Sequence, residues 1–128
     1  MTKIVSTPNC GNSPKIEFLK QFNIAVTKGD LKFIDEKVTD EIEYHIIGKK
    51  KITGKINFIK EIENQFSKKI KELVIEQILS HGKEGASHGI MKMEDGKYHA
   101  FSNFYKFNNA KGEKIKSITN FTIQLKNL

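Results

Sequence analysis

From residue 13 onward the apolar positions first keep helical spacing and then, past about Ile70, change to alternation. In "NSPKIEFLKQFNIAVTKGD", Ile16, Leu19, Phe22 and Val26 fall on one helical face. Ser13 is placed to cap that helix, Pro14 suits its first turn, and Gly29 suits a left-handed stop. Asp30 is placed to cap a short second helix through Leu31, Phe33, Ile34 and Val38. "EIEYHIIG", dense in β-branched residues and ending at Gly48, reads as a strand. "ITGKINFIKEIENQF" reads as a third helix with Ile56, Ile59, Ile62 and Phe66 along one side. Four β segments follow: "IKELVIEQILSH", "EGASHGIMKME", "KYHAFSNFYKF" and "EKIKSITNFTIQL". The connectors lie at Gly82, at Asp95-Gly96 and at Gly112. Helix, helix, strand, helix and an antiparallel meander predict an α+β domain over residues 13–128. Residues 1–12 read as a flexible Pro/Asn/Gly-rich leader without helix or strand pattern.

Two-residue hairpin loops would fix which side chains share a face. A loop at Asp95-Gly96 sets His88 opposite Asn103, and one at Gly82-Lys83 sets Gln77 opposite His88. A turn at Lys111-Gly112 sets Asn103 opposite Asn120. The expected result is a polar row, Gln77, His88, Asn103 and Asn120, surrounded by Leu73, Ile75, Ile90, Phe101, Tyr105 and Ile118. An apolar recess with a few convergent polar groups is the usual makeup of a small-molecule pocket. The same row could equally be a structural ladder satisfied by its own members, or a solvated face. Met91, Met93, Phe104, Ile115, Phe121 and Ile123 would then lie on the other face, which suggests a sheet covered within by helices and without by a partner subunit.

Composition narrows the partners. The net charge is +7, yet all 22 basic residues are lysine. Arginine is the residue of choice for bidentate base and phosphate recognition, so its absence argues against sequence-specific nucleic-acid binding. Lys49-Lys50-Lys51 reads as a solvated turn. No apolar run approaches a bilayer span, and "MTKIVSTPNCGNSPK" lacks the apolar core of a signal peptide, which with the single Cys10 points to a cytoplasmic location. No histidine pair has metal-ligand spacing, so no metal is expected.

"FLKQFNIAVTKGDLKFIDEKVTDEIEYHI", "ITGKINFIKEI" and "FSNFYKFNNAKGEKIKSITNFT" together resemble the nuclear transport factor 2-like superfamily, which includes SnoaL-type cyclases and ketosteroid isomerase. The resemblance covers about residues 14 to 125 and implies a curved, mostly antiparallel sheet wrapped round three helices. That shape is a cone with an apolar internal pocket, often dimeric through the outer face of the sheet. It also sets Asn103 where the isomerase has its oxyanion-stabilising aspartic acid, Phe22 at its tyrosine and His45 at its carboxylate base. Phe22 cannot donate a hydrogen bond, so steroid isomerisation is not implied. The lack of arginine likewise excludes the Asp-Arg-Asp site of limonene epoxide hydrolases, while a scytalone dehydratase-like site stays open.

If His45 points into the cone, neutral imidazole could serve as a general base, with His88 and Asn103 polarising a carbonyl. Those three are the candidate catalytic residues; Phe22, Gln77, Ile90, Phe101, Tyr105, Ile118 and Asn120 are the candidate pocket. The set suits cofactor-free isomerase, dehydratase or cyclase chemistry on a small apolar or aromatic carbonyl compound. The alternative is a non-catalytic binding or dimerisation module whose cavity is filled by its own side chains. His81 is expected in an exposed turn and His99 at the rim of the inner face.

Overall fold

The computed structural model describes residues 2–6, 13–66 and 69–126; Cys10 lies outside them. The elements are β1 (Lys3–Ser6), α1 (Pro14–Lys28), α2 (Leu31–Lys37), β2 (Val38–Ile46), β3 (Lys50–Thr53), α3 (Lys55–Phe66), β4 (Ile70–His81), β5 (Glu84–Met93), β6 (Tyr98–Phe107) and β7 (Ile115–Leu125). The strands form one seven-stranded sheet in the order β1-β4-β5-β6-β7-β2-β3, antiparallel except where β1 meets β4 and β7 meets β2. The three helices lie against one face. This is the α+β class that the residue pattern predicts, in the cone form that the resemblance implies.

Local chemistry explains the helix boundaries. Pro14 opens α1, and Gly29 closes it at φ 74° while the Asp30 amide reaches back 2.9 Å to the Ala25 carbonyl. Asp30 then starts α2 by accepting a 3.2 Å hydrogen bond from the Phe33 amide. Leu19, Phe22, Ile34, Phe58 and Ile62 carry the helices onto the inner face of the sheet, where Ile75, Phe101, Phe107 and Ile118 meet them. α3 departs from its expected face. Ile56 is 73% exposed and Phe58 is fully buried, because Phe58, Ile62 and Phe66 at four-residue steps bring larger rings to the core.

Two stretches are more ordered than their composition suggests. Lys3–Ser6 pair in parallel with Glu72–Ile75, so part of the expected leader is an edge strand. Lys50 and Lys51 are strand residues rather than a turn; the hairpin turns at Gly48 (φ 80°), and the two lysines pair with Glu61 at 2.8 Å and Glu43 at 3.3 Å.

Strand register decides what faces the core. Between β5 and β6 the loop has three residues, Glu94, Asp95 and Gly96, with Gly96 left-handed at φ 86°. The Met93 amide closes it on the Lys97 carbonyl at 2.8 Å, and the Gly96 amide donates to the Met93 carbonyl at 3.0 Å. One extra loop residue turns β5 over. Ser87, not His88, therefore pairs with Asn103, and His88 pairs with Ser102 on the outer face. Ile90 also faces outward, whereas Met91 and Met93 turn inward, the reverse of expectation. Ile115 is likewise inside and fully buried. Gln77 does pair with His88, but a bulge at Glu76 lets Glu76 and Gln77 both point outward between inward Ile75 and Ile78. Asn103 pairs with Asn120 as expected, although the β6–β7 connection is a longer loop compensated by a second bulge beyond Lys106.

Candidate functional site

The inner face keeps a half-enclosed cavity of about 50 Å³ between α1, α3 and the sheet. Phe22, Phe58, Ile62, Leu73, Met91 and Phe101 give it apolar walls. Asn103, Asn120, Asn23, Thr27, Tyr44 and Tyr105 give it polar groups.

Those polar groups bond mostly to one another. Asn23 Nδ2 donates to the Leu19 carbonyl at 2.7 Å and to the Tyr105 hydroxyl at 3.0 Å. A carbonyl only accepts, so the Leu19 contact fixes which way the Asn23 amide points. Its Oδ1 accepts from Ser87 Oγ at 3.4 Å, and Ser87 Oγ lies 2.8 Å from Tyr105 Oη. A closed ring follows: Asn23 donates to Tyr105, Tyr105 to Ser87, and Ser87 to Asn23. Beside it, Thr122 Oγ1 donates to Asn120 Oδ1 at 2.9 Å, and Asn120 Nδ2 donates to Asn103 Oδ1 at 2.7 Å. The amide set among aromatics in "FSNFY" is thus held by a second amide directly across the strand pair. Unpartnered, such a group would cost roughly 1–3 kcal/mol.

Among the described residues, the ionisable side chains on the wall are two tyrosines, and both are held neutral. Burial pushes the Tyr105 hydroxyl above its ordinary range, only partly opposed by its hydrogen bonds with Ser87, Asn23 and Asn103. Burial also pushes Tyr44 well up, with the negative charge of Glu61 acting in the same direction. Tyr44 Oη donates to Gln65 Oε1 at 3.5 Å, and Gln65 Nε2 in turn donates to Glu61 Oε2 at 2.5 Å. Lys50, hydrogen-bonded to Glu61, holds that carboxyl below its usual range.

Of the ten sequence candidates, the structure gathers Phe22, Phe101, Asn103, Tyr105, Ile118 and Asn120 around the cavity. His45, His88, Gln77 and Ile90 are not there. His45 is exposed on the outer face between Thr119 and Lys51, because Ile42, Tyr44 and Ile46 take the inward positions of β2. His88 is exposed and bonds Gln77, Nε2 to Oε1, at 3.2 Å on that same outer face. Ile90 lines an outer groove with Ala100 and Ile123. His81 is exposed, and His99 is half-buried with its Nδ1 enclosed and without a partner among the described residues. Sequence reasoning missed Tyr44, Ser87, Asn23 and Met91. Tyr44 was signalled by strict alternation in "IEYHI"; Ser87 became visible only once the loop length was known. Among the described residues no cluster of three metal-ligating side chains occurs, and no helix is long and apolar enough to cross a membrane.

Comparison with known proteins agrees on architecture. No family model and no curated protein matches the chain. Solved structures do. An NTF2-like protein of unknown function from Burkholderia xenovorans superposes with a TM-score of 0.76 at 15% identity, covering 89% of this chain and 86% of that one. One from Cytophaga hutchinsonii gives 0.69 at 21%, covering 84% and 97%. An LEH-like epoxide hydrolase from M. tuberculosis gives 0.70 at 14%, covering 85% and 82%. The fold is that of the nuclear transport factor 2-like superfamily. One scaffold of this kind hosts unrelated functions, so the activity must be argued from the cavity itself.

Proposed function

We propose that this chain is a non-catalytic module of the fold that takes a small neutral molecule into the cone and pairs with a second copy through the outer face of its sheet. One observation carries the first half: among the described residues, none that lines the cavity can accept a proton near neutral pH. Its ionisable members are two tyrosines, protonated at neutral pH and held so further by burial; His45, His81 and His88 are on the outer face, and His99, on the inner face opposite Met91, is not among the residues that line the cavity. A general base must come within hydrogen-bond reach of the proton it removes. The amide pair Asn103–Asn120 supplies neutral hydrogen-bonding capacity instead, which suits a carbonyl or ether oxygen.

Size sets the class further. A cavity of about 50 Å³ is roughly a third of the ~150 Å³ that holds benzene in an engineered protein. The enclosed part is therefore too small for the whole of a molecule the size of benzene or butanone; it takes a handful of waters, or the carbonyl end of a ligand such as butanone whose other carbons stay at the half-open mouth. The small volume also favours the reading in which the protein's own side chains fill the cone and pairing alone is the function. For the pairing half, Phe104, Phe121, Leu79 and Ile123 are all 45–66% exposed on the outer face.

Methyl NMR separates these readings, because Met91 is one of three methionines and lines the cavity. Butanone should shift the Met91 methyl signal in the native protein and not in Asn103→Leu. A Met91 signal indifferent to butanone in the native protein would leave the filled-cone reading. Sedimentation of the native protein against Phe104→Asp tests the pairing.

A further inference from the structure

β7 outruns its neighbour. β2 accompanies it as far as Asn120, whose carbonyl accepts a 2.9 Å hydrogen bond from the Ile47 amide, and the turn at Gly48 then reverses the chain into β3. From Phe121 to Leu125 the strand pairs with β6 on one side and, among the described residues, with no strand on the other. The N–H and C=O of one strand residue point to the same side, and successive residues alternate. Since the Asn120 carbonyl faces β2, the N–H and C=O of Thr122 and Gln124 face the open side. Both residues are exposed, and Ile123 between them is 66% exposed.

A row of unpaired backbone groups at a sheet edge is a template for another strand, and charge or a bulge usually blunts it. Elsewhere this sheet has those devices. β1 carries Lys3, β3 carries Lys50 and Lys51, and β4 has Glu76 and a bulge just past the end of β1. The stretch Phe121–Leu125, "FTIQL", has no charge, no bulge and no proline.

The stretch is also complementary to itself. A two-fold axis through Ile123 sets two copies antiparallel, with Ile123 opposite its own copy, Phe121 opposite Leu125 and Thr122 opposite Gln124. Apolar side chains then meet on the outer face and polar ones on the inner. The backbone agrees with this register. Thr122 and Gln124 make the hydrogen-bonded pairs on either side of the axis, and Ile123 falls in the closer, non-hydrogen-bonded pair. A shift of two residues either way loses one of the hydrogen-bonded pairs, because Asn120 is already paired with β2 and the chain bends at Lys126. Length favours a second copy over a strand from another protein. The open lane is closed at one end by Ile47 and its turn, and a copy of β7 is bounded in the same way, whereas a longer strand would meet that turn.

We propose that Phe121–Leu125 is a docking edge for a second copy of this chain, joining two seven-stranded sheets into one by antiparallel β7–β7 pairing about Ile123. The contact is separate from the pairing across the outer face, and either can form without the other. It is small, so the association is weak and concentration-dependent.

The test uses Phe104→Asp, which removes the outer-face pairing, in sedimentation equilibrium up to about 1 mM protein. The expected result is a reversible dimer that is lost in Phe104→Asp/Gln124→Pro. The Gln124 N–H points away from β6, so proline removes an edge donor and spares the β6 ladder, which near-ultraviolet circular dichroism verifies. Register is tested in a Phe104→Asp/Cys10→Ser background. Ile123→Cys should cross-link two copies on mild oxidation, since the Cα atoms of such a pair, about 4.5 Å apart, lie within disulfide reach. Leu79→Cys, 56% exposed on the outer face, should not. A Phe104→Asp protein that stays monomeric at about 1 mM, or a dimer that survives Gln124→Pro, would overturn the edge contact. Equal cross-linking at both positions would overturn the register and the contact with it.

Discussion

Raising the pH is a direct probe of the cavity, because Tyr44 and Tyr105 are its ionisable groups and burial resists ionisation of both. In the unfolded chain a tyrosine loses its proton near pH 10. In the folded chain both midpoints lie higher. Above about pH 10 the native state therefore binds more protons than the unfolded state, and stability must fall as pH rises. The slope is about 1.4 kcal/mol per pH unit for each group, hence about 2.8 for the two while both stay protonated. Against a typical domain stability of about 5–15 kcal/mol, two pH units consume about 5.5 kcal/mol, enough to unfold a marginal domain by about pH 12. The sequence has three tyrosines and no tryptophan, so tyrosinate absorbance can be followed without overlap. The tyrosinate signal of two residues should appear together with loss of far-ultraviolet dichroism. Tyr105→Phe and Tyr44→Phe should each halve the alkaline slope measured by urea titration. Smooth ionisation of all three tyrosines near pH 10 with the fold intact would refute the closed, neutral cavity.

Gly89→Ala should be among the most damaging small substitutions: an added Cβ would sit 1.9 Å from the Val74 carbonyl oxygen and 3.1 Å from the Phe101 ring. Overpacking of this kind costs about 1–3 kcal/mol, and a contact this short places it at the upper end, about 10 °C in Tm by calorimetry. An unchanged Tm would mean that β4 and β5 can separate freely there. At acid pH the Lys50–Glu61 pair should contribute in the opposite sense. Glu61 has a lowered folded-state midpoint, so its stabilisation is present above the ordinary carboxylate range and lost as pH falls through the folded value. Because the Lys50 end of the pair is exposed while the Glu61 side chain is largely covered, Glu61→Gln should cost about 1 kcal/mol near neutrality and nothing at low pH, read from urea midpoints; an equal cost at both would contradict it.

How much was legible in the chain depended on how local the deciding interaction was. Helix ends were readable because Pro14, Gly29 and Asp30 act on backbone groups within a few residues. The pairing of Asn103 with Asn120 was readable although the turn assumed for it was not the one formed, since bulge and loop changes cancelled. The facing of β5 was not, because Asp95-Gly96 serves a two-residue loop and the end of a three-residue loop equally well. That single residue moved His88 outward and Ser87 inward. The bulge in β4 had a trace in the sequence: Glu76 and Gln77 stand together where alternation demands one polar residue between Ile75 and Ile78. The resemblance sets His45 at the isomerase's base position and leaves its facing open; the alternation of Ile42, Tyr44 and Ile46 decides it, and His45 faces outward. The closed ring of Asn23, Ser87 and Tyr105 joins one helix to two strands across 82 residues at its widest, a contact that no local pattern encodes.

The most direct measurement of whether the cone lacks a base is proton exchange at carbon next to a carbonyl. Butanone incubated with the protein in deuterated buffer, followed by proton NMR, should lose its α-proton signal no faster than in buffer alone, for the native protein and for Asn103→Leu alike. Protein-dependent exchange that disappears in Asn103→Leu would contradict the non-catalytic reading and place a proton acceptor inside the cavity.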